Sequence, residues 1–376
     1  MRQGHFNILY FSSFADLWGG GQVSLLQLVK NINRNRFSPF VVIPSEGELS
    51  QQLKQIQVPV IILDMPSLLP FPTIRSLRCI KRLLKLSKDL DIRLLHTDGP
   101  RNTFYAVFVK VVLRIPLIWH IRASNRDIFD RILFHFCNSL IIVAGGLKER
   151  FGWVKAQRKL VTVYNGIDIE SFSPFKRRSV TPLNPLDKAE ELVVGMIGRV
   201  EKLKGQKTLI EACGRLPRLK SSLKIMIIGE IIDPLYAKEI IATARGFGVE
   251  KNVCFLGYRK DICHLLHQMD IYTFTSVFDA FPRTIIEAMA AGLPVITTDV
   301  GGCPEAVKEG VTGYIVPKGD PIAFADRIAF LANRPEKRIA MGEKARERAR
   351  KKFSVEENVR KTEQLYIDIL SKHAIH

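Results

Sequence analysis

The sequence is poor in the features that define several large protein classes. Its six cysteines are scattered at 79, 137, 213, 254, 263 and 303, with no C-x-x-C pair. That argues against a zinc ribbon or a thioredoxin-like redox site, and reduced thiols in a cytoplasmic protein are the simplest account. Long uninterrupted apolar runs are missing too. The best membrane-spanning candidate, residues 103–121, carries Lys110, Arg114, Pro116 and His120, which a bilayer-spanning helix rarely holds. The N-terminal apolar run is too brief for a signal-peptide core. There is no zinc finger, RNP motif or glycine-lysine P-loop. The only D-x-D, Asp89-Leu90-Asp91, precedes a predicted strand and reads as a feature of that strand's start, not a metal site.

What is present is bulk, apolarity and positive charge. The chain has 376 residues, 47% of them apolar, enough for two cores and well outside the disordered range. The formal net charge of +19 is uneven. Residues 1–180 hold 26 Lys and Arg against 12 Asp and Glu; residues 181–376 hold 30 against 25. The N-terminal half therefore favours an anionic partner: nucleic acid, acidic lipid or acidic saccharide. A charge kept only for solubility is the plainer alternative.

Short β-rich runs alternate with helical stretches. The first series is 7–11, 39–43, 60–63, 92–96, 117–121, 140–143 and 161–164; the second is 193–197, 223–228, 253–255, 271–275, 295–298 and 314–316. Buried parallel strands joined by helices produce this pattern. Between the series lies SPFKRRSVTPLNPLDKAE, residues 173–190, rich in proline and charge, which reads as a linker. The expected domains are 1–180 and 181–353, with a helix at 354–376 returning to the first. In doubly wound sheets, ligands sit beyond the carboxyl ends of the strands, so the informative loops should follow strands.

Three such loops stand out. Gly19-Gly20-Gly21-Gln22 follows the first strand and opens a helix, but Ser24 breaks the G-x-G-x-x-G fingerprint. A ligand cradle and a plain tight turn both fit it. After the first strand of the second series, Arg199 and Lys204 offer two cations five residues apart. A diphosphate site and a solvated basic loop both fit that spacing. The third loop, SVFDAFPRTIIEAMAAGLPVITT from 276 to 298, sets Asp279 and Glu287 eight residues apart across a loop-to-helix junction. Pro282 suits a helix entrance, and Gly292 with Pro294 a helix stop. A carboxylate there can accept two ribose hydroxyls while the helix N-terminus faces phosphate. It can also simply favour the helix N-terminus.

This third segment resembles the E-x7-E signature of retaining glycosyltransferases of family 4. With it come Gly19-Gly20-Gly21-Gln22, Gly198-Arg199, Lys204-Gly205, Asn165-Gly166-Ile167-Asp168, Gly301-Gly302 and Pro304-Glu305. His120, closing a strand in Trp119-His120-Ile121-Arg122, matches the family histidine. The ordered set covers nearly the whole chain.

The resemblance implies an α/β chain of the GT-B fold, two Rossmann-like doubly wound domains facing across a cleft. It implies hexosyl transfer from a nucleotide-diphosphate sugar to a glycan or lipid-linked acceptor, in cell-surface polysaccharide, lipopolysaccharide or glycolipid synthesis. Glu287 would bind the donor ribose and Asp279 would face the donor sugar. Arg199 and Lys204 would neutralise the diphosphate in place of a metal, so neither metal nor other cofactor is expected. The segment Phe281, Pro282, Arg283 and Thr284 would help hold the phosphates. Gly20 and Gly21 would line the first-domain side of the cleft, and His120 would contact the transferred sugar. Asn165 and Asp168 would shape the interdomain loop. Transfer would retain the anomeric configuration, the leaving diphosphate lying on the face of the incoming hydroxyl and helping to deprotonate it; the protein's part is orientation and charge stabilisation.

Asp279 departs from the family, which usually has Glu there. Its carboxylate sits about 1–1.5 Å further back, and a 1 Å displacement can cost about a hundredfold in rate. The change suits either a particular donor sugar or a weakened, non-catalytic GT-B scaffold that binds a glycan or partner enzyme. A nucleic-acid-binding protein, suggested by charge alone, is a third reading.

Residues 74–88, IRSLRCIKRLLKLSK, form a basic helical stretch. Arg75, Arg78, Lys81, Arg82, Lys85 and Lys88 are expected on one side, with Leu77, Ile80, Leu83 and Leu84 on the other. An ordinary surface helix and a helix lying on an anionic membrane surface both fit. The second places the protein in the cytoplasm, peripheral to the inner face of the membrane.

Overall fold

A computed structural model describes residues 4–17, 19–67, 73–154, 157–173 and 191–373. The chain forms two compact units, residues 1–166 with 355–376, and residues 167–354. Each is built around one parallel sheet.

In the first unit the strands are β1 (Phe6–Phe11), β2 (Phe37–Ile43), β3 (Val60–Ile62), β4 (Ile92–Asp98), β5 (Leu117–Ile121), β6 (Ser139–Ile142) and β7 (Leu160–Thr162). They line up in the order β3-β2-β1-β4-β5-β6-β7. The connecting helices are α1 (Gly20–Asn31), α2 (Glu48–Gln55), α3 (Ile74–Asp89), α4 (Pro100–Leu113) and α5 (Asp130–Phe136). Strand order reverses direction between β1 and β4. Right-handed crossovers then put α1 and α2 on one face and α3, α4 and α5 on the other. On the α1 side, Ile8, Tyr10, Leu94 and Ile118 meet Leu25, Leu28, Val29, Leu49 and Leu53 in one apolar cluster. Burial on both faces is why these strands read as near-continuous apolar runs.

The second unit holds β8 (Leu192–Ile197), β9 (Leu223–Ile228), β10 (Val253–Phe255), β11 (Ile271–Phe274), β12 (Val295–Thr298) and β13 (Gly313–Val316). Their order is β10-β9-β8-β11-β12-β13, again all parallel. The helices are α6 (Gln206–Gly214), α7 (Pro234–Gly246), α8 (Ile262–Leu266), α9 (Arg283–Ala290), α10 (Cys303–Ala306), α11 (Pro321–Ala332) and α12 (Pro335–Phe353). Helix starts follow local chemistry. Asp233 caps α7 through the Tyr236 amide at 3.0 Å, and Asp320 caps α11 through the amides of Ile322 and Ala323. Pro234, Pro321 and Pro335 take the first turns, where a missing N–H costs nothing.

The last helix, α13 (Val355–His373), belongs to the first unit. Val355, Val359, Tyr366, Ile369 and Leu370 enter its core. Asn358 donates to the Tyr164 carbonyl at 2.6 Å, and Glu363 accepts from the Asn33 amide at 2.7 Å.

The unit division falls at Gly166, earlier than the boundary expected near 180; residues 174–190 of the expected linker lie outside the described residues. Ile167 draws the division forward by donating to the Phe353 carbonyl at 3.0 Å. Glu170 then pairs with Arg350 at 2.8 Å, and Ser173 accepts from Arg346 at 2.6 Å, so residues 167–173 are tied to α12. Residues 103–121, weighed above as a membrane span, are most of α4 plus β5, and among the described residues no helix is long and apolar enough to cross a membrane. All six cysteines are free thiols. Asp89 ends α3, and Asp91, at φ 45°, pairs with Arg93 at 3.2 Å, which makes the D-x-D a turn into β4.

Candidate active site

In the second unit three loops meet at the carboxyl ends of β8, β11 and β12, on either side of the β8/β11 reversal. The β8 loop runs from Gly198 to Gly205. The Thr275 hydroxyl donates to the Lys204 carbonyl at 3.0 Å, and the Val277 amide donates to the Leu203 carbonyl at 3.0 Å. Gly205 sits at φ +69, where a Cβ would lie 2.2 Å from the Thr275 carbonyl oxygen. Only glycine permits that approach. The β8 and β11 loops are therefore locked together, and Lys204 Nζ reaches Asp279 Oδ2 at 2.8 Å, each side chain about four-fifths buried. Gly301, at φ +51, closes the third side, since a Cβ there would sit 1.9 Å from the Asp279 carbonyl oxygen. The Gly302 amide donates to the Ala280 carbonyl at 2.7 Å. The Gly301-Gly302 pair thus moulds the Asp279 loop.

Glu287 lies on the second turn of α9, its carboxylate 3.7 Å from the Arg283 guanidinium and the side chain 15% exposed. At that distance the contact is an ion pair longer than a hydrogen bond. Burial raises the carboxyl above its usual range, against the pull of Arg283. Arg283, itself buried, loses some basicity for the same reason. Burial likewise raises the Tyr272 phenol on β11; the Thr284 hydroxyl opposes that rise, and Glu287 and Asp279 add to it. One buried phenol thus lies within electrostatic reach of both carboxylates. Cys303, buried on α10, is pushed up to about 12 by burial, with Asp279 raising it further and Lys204 opposing. Lys204 and Asp279 are in direct contact, and Glu287 and Asp279 both act on the Tyr272 phenol.

The first unit has its own polar centre at the carboxyl ends of β4 and β5. His96 Nε2 lies 3.1 Å from His120 Nδ1. On its other side His96 Nδ1 meets the Tyr366 hydroxyl, which is 3.2 Å from the Tyr10 hydroxyl. Arg122 Nη2 approaches the same His120 Nδ1 at 3.3 Å. His120 Nε2 is buried and has no hydrogen-bond partner among the described residues. Burial, then the charge of Arg122, takes His96 down to about 3 and holds His120 well below the usual imidazole range. Both rings are neutral at physiological pH. Asp98 closes the centre, accepting from Ser13 Oγ at 3.0 Å and Asn102 Nδ2 at 2.8 Å.

The expected site residues are placed unequally. Lys204 and Asp279 make direct contact. Arg199 turns away: its side chain is 60% exposed and pairs with Glu201 at 2.9 Å. Pro282 is the N-cap of α9 and has no N–H, so the first-turn amides are those of Arg283, Thr284 and Ile285, and Phe281 lies outside the helix. The Phe281 ring is buried against Phe353 at 5.5 Å. Gly20 and Gly21 open α1, and a Cβ on Gly21 would stand 3.2 Å from Arg122 Cδ. Asn165 is engaged within the first unit, accepting from Ser24 at 3.3 Å and Arg122 at 3.5 Å. Sequence reasoning missed Arg122, Tyr272 and His96, and it took Arg283 as part of the phosphate-holding segment without foreseeing its ion pair with Glu287. Arg122 was signalled only by standing two residues beyond His120.

Residues 18–171 match glycosyltransferase family 4, and residues 184–348 match the glycosyl transferases group 1. The chain belongs to glycosyltransferase family 4. Among curated relatives of this family 4 chain, an N-acetyl-alpha-D-glucosaminyl L-malate synthase of Bacillus anthracis is 30% identical over 60% of it. A D-inositol 3-phosphate glycosyltransferase of Corynebacterium glutamicum is 33% identical over 58%. These matches span 58% and 53% of the relatives' own length. Solved structures share the fold over nearly the whole chain. Anabaena Alr3699/HepE in complex with UDP superposes with a TM-score of 0.83 at 22% identity, covering 96% of this chain and 100% of that one. A glycosyltransferase from Rickettsia africae gives 0.85 at 19%, covering 97% and 99%. The architecture is GT-B.

Proposed function

We propose that this family 4 chain transfers a sugar from a nucleoside-diphosphate donor to a glycan or lipid-linked acceptor with retention at the anomeric carbon, in the synthesis of a cell-surface polysaccharide or glycolipid at the cytoplasmic face of a membrane. The observation that carries the reading is the buried, under-bonded Glu287 carboxylate beside the α9 N-terminus, one loop away from the Lys204–Asp279 pair. A largely buried carboxylate whose nearest cation stands at ion-pair distance can accept the two hydroxyls of a ribose. The first-turn amides of α9 suit a diphosphate. Lys204 supplies the charge that stabilises the diphosphate as it leaves, with Arg199 free to swing in from solvent once it parts from Glu201. Asp279 holds Lys204 and faces the donor sugar, and His120 offers the first unit's contact to the sugar. A structural relative was solved with UDP-glucose, which makes uridine donors the first to try.

Glu287→Ala should weaken donor binding by roughly tenfold to a hundredfold, the worth of charge-assisted hydrogen bonds. UDP-, GDP- and ADP-sugars would be screened by thermal shift and slow hydrolysis on both proteins. Full binding and turnover by the alanine variant would remove the assignment. One observation favours a second reading, a non-catalytic scaffold: Asp279 already neutralises the cation meant for the diphosphate. Donor hydrolysis by the wild-type protein separates the two.

A further inference from the structure

Helices α3, α4 and α5 lie side by side over β4 and β5, and their outer face has an uncommon composition. On α3, Ser76, Cys79, Leu83 and Ser87 point inward. Leu77 does not share that side, contrary to the simple amphipathic expectation; it is 58% exposed, with Ile74 at 70%. The two apolar residues therefore stand among the exposed bases Arg75, Arg78, Lys81, Arg82, Lys85 and Lys88. On α4, Phe108, Val111 and Val112 are exposed. On α5 and the turn before it, Ile128, Ile132 and Phe136 are exposed. Of the ten large apolar side chains exposed among the first unit's described residues, eight lie on this one layer, so they are not the scattered singles of an ordinary surface. Carboxylates hardly contribute. The only ones on these helices are Asp89, at the end of α3, and Asp130, buried against Arg150 at 2.6 Å.

We propose that this three-helix face is an interfacial docking surface for an anionic lipid bilayer. The charge complementarity selects that occupant. A bilayer carrying anionic headgroups accommodates both halves of the pattern, taking Val111, Val112 and Ile132 into the acyl boundary while the lysines and arginines of α3 remain at headgroup depth. A nucleic acid would match the bases but would leave the aliphatic side chains against phosphate. The proposal goes beyond the donor site and stands without it. It adds a reason for the first unit's charge: the enzyme would be held where a lipid-linked acceptor is presented.

The test is flotation of the full chain with vesicles of equal parts phosphatidylglycerol and phosphatidylcholine, against pure phosphatidylcholine. The low-salt arm is run at ~0.01 M, where charges reach about 30 Å. Wild type should float with the anionic vesicles and be released by salt. Arg78→Glu/Lys81→Glu/Lys85→Glu should lower partitioning by about a hundredfold or more, since each base near the surface contributes about fivefold. Val111→Ser/Val112→Ser/Ile132→Ser, all at exposed positions, should lose at least about tenfold. Both variants should keep the wild-type circular dichroism and melting point, and hydrolyse UDP-glucose as wild type does, so failure here is distinct from failure of the donor reading. Absence of flotation by wild type, or wild-type flotation by both variants, overturns the proposal. So does retention on single-stranded RNA without binding to vesicles.

Discussion

A single arginine decides what His120 presents. A guanidinium has only donors, so Arg122 Nη2 at 3.3 Å from Nδ1 requires a lone pair there. The ring is neutral, so its proton must sit on Nε2, the buried nitrogen with no partner among the described residues. The expected result is that long-range proton–nitrogen correlation spectra show His120 protonated at Nε2, and that Arg122→Met moves a measurable fraction to Nδ1. A wild-type ring protonated at Nδ1 would contradict the argument. Asp279 poses the companion question. Its carboxylate already touches Lys204 at 2.8 Å, on a loop whose backbone is held by Gly301, so an added methylene would push the carboxylate out of that contact. Asp279→Glu should therefore lower transfer about tenfold or more, as positional errors near 1 Å do. Higher activity in that variant would mark a drifted site, not a specialised one.

Much of the fold was legible at the scale of elements, and the reasons are particular. The central strands are short apolar runs because both faces are covered. Helix α9 was bounded by Pro282 at its entrance and by Gly292, which sits at φ +80 past its end. What could not be read depended on distant partners. The inward face of α3 is built partly from Ser76, Cys79 and Ser87, small side chains that a count of hydrophobics overlooks, and so Leu77 was assigned to the wrong side. Composition marked 173–190 as a break, but nothing local announces that Ile167 bonds to Phe353. In the candidate site, Lys204 and Asp279 could be singled out from their loops, whereas the preference of Arg199 for Glu201 could not. The link from His96 to Tyr366 joins residues 270 positions apart, and no spacing rule reaches that far.

For the whole molecule the decisive fact is that the last helix completes the first unit. Val355, Val359, Tyr366, Ile369 and Leu370 fill the core that also holds Ile8, Tyr10, Val29 and Phe37. Buried apolar side chains of this size contribute about 1.5–3 kcal/mol each. Five of them together match the entire stability of a typical domain, about 5–15 kcal/mol. The second unit has a separate core, with Val194, Leu209, Ile225, Ile240 and Phe324 at its centre, and no residue of α13 enters it. A chain ending at Ser354 should therefore lose its first unit and keep its second. Limited proteolysis followed by mass spectrometry should find residues 191–354 protected and residues 4–166 degraded, with both protected in the full chain. Binding of a uridine donor at Glu287 should survive the truncation, because every group assigned to the nucleotide lies in the second unit. Sugar transfer should be lost with His120 and its partners. Protection of residues 4–166 without α13 would mean that the first unit closes its core by other means, and that Tyr366 is dispensable to the histidine pair it touches.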